Sequence, residues 1–131
     1  MPVRYFIDEE QGFLIGEASG IITDQESIKA LSDVVQATGG AALFKPHLYR
    51  VDPNTLLHKL SFEGIVRIKD NFVAWTERYP GRDVKTAFVV PDAMHAMYAR
   101  LWQALSDAHR EIGSTVELFD TEAEAVAWLQ G

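Results

Sequence analysis

Hydrophobic and polar residues follow one another along this chain in segments that switch between two periods. Residues 3–8 (VRYFID) and the apolar run over 13–22 read as strands, and the polar Glu9-Glu10-Gln11-Gly12 between them predicts a hairpin. Thr23 and Glu26 have the spacing of a capping box, while Ile28, Leu31, Val34 and Val35 share one helical face and Gly39-Gly40 supply a stop. A first helix is therefore expected over residues 24–38. Residues 43–51 (LFKPHLYRV) read as a third strand, with Pro46 confined to its start or to an edge because proline donates nothing to a ladder.

Over residues 62–79 the helical period is sharper. At about 100° per residue, Phe62, Ile65, Ile68, Phe72, Trp75 and Tyr79 fall on one half of the wheel, and Glu63, Arg67, Asp70 and Glu77 on the other. Ser61 opens this helix and Pro80-Gly81 end it. Residues 84–90 (VKTAFVV) read as a strand, and Pro91-Asp92 start a helix whose apolar stripe runs from Met94, Met97 and Tyr98 through Leu101, Leu105 and Ala108 to Ile112, closing at Gly113. TVELF (115–119) gives a last strand, and a second capping box, Thr121 to Glu124, opens a last helix. The order β β α β α β α β α implies right-handed crossovers and a mixed, mostly parallel sheet with an antiparallel edge from the N-terminal hairpin. One α/β domain over residues 1–131, with about four helices, is the expected architecture.

Composition narrows the chemistry. The 131 residues include no cysteine, which removes thiol catalysis, disulfides and Cys-ligated metal sites. Twelve Lys and Arg against nineteen Asp and Glu give a net charge of −7, and the basic residues are spread singly, so no nucleic-acid partner is expected. The N-terminal residues have no signal-peptide pattern and no apolar run reaches membrane-spanning length, which points to the cytoplasm. His95 and His109 lie about 21 Å apart on one helix at 1.5 Å per residue and cannot share an ion. His47 and His58 belong to no metal-binding motif, and neither a nucleophile elbow nor a phosphate loop is present. No metal, no cofactor and no catalytic residue is expected.

The element order and the wording of the tail, VELFDTEAEAVAWL, resemble the SpoIIAA-like superfamily of STAS and Sec14-like bacterial domains. Phe119, Asp120, Ala123, Ala127, Trp128 and Leu129 carry the likeness. It implies two different activities. Anti-sigma-antagonist members carry a phosphorylated serine in an Asp-Ser-x-Gly-like turn opening the second main helix, and Sec14-like members bind lipid. Ser61 stands where the switch serine would sit, and a phosphate there would meet the positive end of the helix. The wording here is Lys59-Leu60-Ser61-Phe62-Glu63-Gly64, without the aspartate and with Phe62 and Glu63 before the glycine, which counts against a switch and makes an ordinary N-cap the expected role of Ser61.

Two further features invite a binding role. Arg50 lies inside an apolar strand, where a charge needs either a partner such as Asp52 or a ligand anion. On the helix over 92–112, His95, Tyr98 and Trp102 line one margin of the apolar stripe, and Trp75 and Ile68 mark a similar margin on the preceding helix. The expected function is a non-catalytic binding or regulatory module for an apolar small molecule, a lipid or a protein partner, with Trp75, Tyr98, Trp102, His95 and Arg50 as contact residues. The alternative is a phosphoswitch using Ser61. Because Ile68 and Trp75 exceed what one core contact needs, a homodimer covering them is expected, unless Trp128 covers them within the chain.

Overall fold

In the computed structural model, which describes residues 2–131, the N-terminal hairpin forms as its polar loop predicts. β1 (Val3–Asp8) pairs antiparallel with β2 (Phe13–Ala18), and the Gly12 N–H closes the loop on the Asp8 carbonyl at 2.8 Å. The remaining elements alternate: α1 (Asp24–Ala37), a 3-10 turn (Ala41–Phe44), β3 (His47–Val51), α2 (Phe62–Arg78), β4 (Val84–Val89), α3 (Ala93–Ala108), a second 3-10 turn (Arg110–Ile112), β5 (Ser114–Phe119) and α4 (Glu122–Gln130). The sheet order is β1-β2-β3-β4-β5, and every pair beyond the hairpin is parallel.

This order decides where the helices go. Each crossover from β2 onward steps one strand in the same direction, so connections of one hand put α1, α2 and α3 on one face. There Leu14, Leu31, Val35, Leu43, Phe72 and Ile112 form a buried cluster. Among the described residues α4 alone covers the opposite face, with Ala125 and Leu129 packed on Phe13, Ile15, Leu48 and Ala87. Strand alternation separates the two sets: Leu14 and Gly16 face the three helices, Phe13 and Ile15 face α4.

Thr23, Ser61, Asp92 and Thr121 cap the four helices, each side chain accepting from the N–H three residues on. Three boundaries differ from the sequence expectation. β2 stops at Ala18 because Gly20 turns the chain with φ +70°, and Ile21 makes only an isolated bridge to Leu56. The third strand begins at His47, since Gly39 and Gly40 (φ +61° and +89°) lead into a 3-10 turn rather than extended chain. α3 ends at Ala108 instead of reaching Gly113.

The apolar stripe assigned to α3 is also rotated. Met94 and Met97 are 68% and 59% exposed, while the buried positions are His95, Ala99 and Ser106. Phe62, placed on the inner half of α2 by the wheel, is 59% exposed at the helix's first turn. Ile68 and Trp75 pack against the buried cluster of the three-helix face, whereas Trp128 stacks on Phe119 behind the sheet, 5.6 Å between ring centroids, and does not cover them.

At Gly113 (φ +69°), an added Cβ would sit 2.0 Å from the Arg82 carbonyl oxygen. Gly113→Ala should therefore destabilise the fold by more than the roughly 1–2 kcal/mol that left-handed backbone costs an L-residue. Urea unfolding measures this, and a loss well below 1 kcal/mol would contradict so close an approach.

Candidate functional site

On the helix-bearing face of the sheet, a glycine in β2 makes room for two aromatic rings. Gly16 pairs with Tyr5 on one side and Tyr49 on the other. A Cβ at Gly16 would lie 2.6 Å from the Tyr49 ring and 2.8 Å from that of Tyr5, so only glycine lets both rings lean over β2. Tyr5 and Tyr49 lie 6.0 Å apart between centroids, and Phe88 continues the row 5.1 Å beyond Tyr49. Burial pushes the Tyr49 hydroxyl up to about 12 and, with the neighbouring phenol adding to it, raises Tyr5 well above its ordinary value. Both stay neutral and able to donate.

Across from this aromatic floor, α2 and α3 do not close down. The inward stripe of α3 reads His95, Ala99, Trp102, Ser106, two of them small, and a cavity of about 140 Å³ remains between sheet and helices. Phe72 links its walls, lying 5.1 Å edge-on to Trp75 and 5.3 Å from Trp102. Trp75, Tyr98 and Trp102, three of the expected contact residues, border this one space together with His95.

His95 is 7% exposed, deeper than a rim position. Its Nδ1 lies 2.7 Å from Asp92 Oδ1 and its Nε2 2.7 Å from the Thr55 carbonyl oxygen. A neutral ring has one N–H and can serve only one of these acceptors; the imidazolium serves both. Burial opposes the charge, but the Thr55 carbonyl and the Asp92 carboxylate outweigh it and raise the pKa above the ordinary histidine value. The contact ties α3 to the segment between β3 and α2. Thr55 in turn donates its hydroxyl to the Ala18 carbonyl at 3.0 Å, and the Leu56 N–H donates to the Gly20 carbonyl at 2.7 Å. Leu57 and Leu60 of the same segment border the cavity.

At the opposite end of the strands stands Arg82, which no sequence motif singles out. It is 8% exposed and borders the cavity. Nε donates to the Leu43 carbonyl and Nη1 to that of Ile112, each at 2.7 Å, and Nη2 lies 3.4 Å from His47 Nε2. The guanidinium also rests 5.1 Å from the Phe72 ring centroid. Burial lowers its pKa to about 10, which leaves it charged at neutral pH. His47 is held well below the ordinary histidine range by burial first and by the Arg82 charge second, and is neutral. Thr86 Oγ1 and Ser114 Oγ, 2.6 Å apart, complete this polar end.

Arg50 and Ser61 lie outside the cavity. Arg50 points to the α4 side, where it pairs with Glu122 and, at 2.9 Å, with Glu17, not with Asp52. Asp52 instead accepts from the Asn54 N–H in a turn. Ser61 is exposed and its Oγ accepts from the Gly64 N–H at 3.0 Å. The exposed large apolar side chains are Ile21, Phe44, Leu56, Phe62, Met94 and Met97. Among the described residues no group of three or more His, Cys, Asp and Glu could hold a metal ion, and no helix is long and apolar enough to cross a membrane.

No protein-family model, curated protein or solved structure matches the chain.

Two measurements probe these contacts. Ser61→Ala should cost about 1 kcal/mol of stability through loss of the cap, read by chemical denaturation. For His95 the folded-state pKa lies above the unfolded value of about 6.5, so its contribution is complete below that pH and is lost as pH rises through the folded pKa. The stability gap between wild type and His95→Phe should accordingly shrink from pH 6 to pH 9. A gap that widens with pH would exclude the imidazolium.

Proposed function

We propose that the protein is a non-catalytic binding module that takes a compact apolar small molecule between its sheet and α2/α3. One observation carries this reading: an aromatic-walled void of about 140 Å³ lies where a folded domain is normally close-packed. Apolar cavities of such dimensions take up ring-sized apolar ligands. Tyr5, Tyr49, Phe88, Phe72 and Trp102 supply faces and edges for a planar guest. The tyrosine hydroxyls and the Thr86–Ser114 pair supply the few polar groups that orient one.

Toluene tests this. At about 100 times its Kd a ligand bound only by the folded state stabilises it by about 2.7 kcal/mol, visible as a rise in Tm. Ala99, which borders the void from α3, gives the control: in a filled core Ala99→Leu would overpack and destabilise by about 1–3 kcal/mol. Here it should fold at no such cost and abolish the toluene shift. An unchanged Tm with saturating toluene, together with a destabilised Ala99→Leu, would remove the reading.

A further inference from the structure

We infer that the cavity is built for a ligand bearing a carboxylate, with Arg82 as the charge partner of that group. The inference rests on the proposal that the cavity binds a small molecule and names the chemistry of the guest's polar end. The other arginines with assigned partners set the contrast. Arg4 pairs with Glu17, Arg50 with Glu17 and Glu122, and Arg67 with Asp24, all at positions more exposed than Arg82. Arg82, the most buried of these, has no carboxylate within 4.0 Å among the described residues. A buried, uncompensated charge is strongly unfavourable, and neutral carbonyls only partly replace a counterion.

Holding the Leu43 and Ile112 carbonyls gives Arg82 a structural task, yet it leaves the positive charge standing. Of five guanidinium N–H groups, three are engaged, and one of those reaches only a neutral imidazole at 3.4 Å. A second donor borders the same cavity: Asn71 Nδ2 is buried without a hydrogen-bond partner. The lining as a whole points the same way. The chain carries nineteen acidic residues and a net charge of −7, but no aspartate or glutamate borders the void, whereas Arg82 and His95 do. An acidic protein has thus kept its acids out of this one pocket and left a guanidinium and a spare amide N–H beside it. That donor set fits a carboxylate on an apolar body, and a ring or a short chain could supply the body.

Calorimetric titration of the full chain at pH 7.5 separates the terms, using benzoate against benzamide and octanoate against octanamide. A charge-assisted contact at a buried guanidinium should favour the carboxylate of at least one pair by about tenfold to a hundredfold, and the pair that binds tells ring from chain. The preference should vanish in Arg82→Gln while the amide's affinity stays within a few-fold. Should that variant not fold, Ala99→Leu serves instead, because filling the void must abolish carboxylate binding. Equal affinity for acid and amide overturns the charge inference and leaves the cavity reading intact. Benzoate binding that survives Ala99→Leu overturns the location, and failure of all four probes and of toluene overturns both.

Discussion

The handedness of three crossovers governs the whole arrangement. Because the chain steps from β2 to β5 without once reversing direction, three helices must share one face of the sheet, and the other is left to a nine-residue helix. The crowded face then has to accommodate helices whose spacing is fixed by their connections rather than by the side chains between them. Where those side chains are small, the gap is not closed. Ala99 on the roof is one such place, and the cavity lies between it and the aromatic rings that lean over Gly16.

The two ends of that cavity are held by different physics. At the carboxyl ends of the strands, a histidine bridges two acceptors and keeps a connecting segment against α3. At the amino ends, a guanidinium gathers the carbonyls of both 3-10 turns. Neither group is well served by a nonpolar interior, and each stands at a joint where a chain segment must be fixed in direction as well as in place. Hydrogen bonds to charged donors do that, since they are directional where apolar packing is not.

The fold was legible because its signals are local. Polar hairpin loop, capping serine and threonines, and glycine stops lie within a few residues of what they control. The site was legible only in part. Trp75, Tyr98, Trp102 and His95 could be gathered by helical spacing, because they occupy two helices of clear period. Tyr5, Gly16 and Tyr49 meet through strand register, which one sequence does not give; Gly16 in Leu-Ile-Gly-Glu read only as a glycine-bearing strand. Arg82 in Tyr-Pro-Gly-Arg-Asp reads as a solvated turn, and nothing nearby announces that it folds inward. On α3 hydrophobicity misled: the methionines outrank serine, yet the inward stripe is the buried His95, Ala99 and Ser106 with the half-buried Trp102, whose 4, 3, 4 spacing is as helical as that of the methionine stripe.

The placement of the three tryptophans on opposite sides of the sheet has an optical consequence. Trp75 and Trp102 both border the cavity and flank Phe72, while Trp128 stacks on Phe119 behind β4 and β5, with the Lys85 ammonium 5.2 Å from its ring. Emission from the intact chain is therefore a sum of two environments separated by the thickness of a β-sheet. Replacing Trp128 by phenylalanine would leave only the cavity's own indoles to fluoresce. The molecule would then carry an intrinsic lamp inside the space in question, sensitive to polarity and quenching there and blind to the far face.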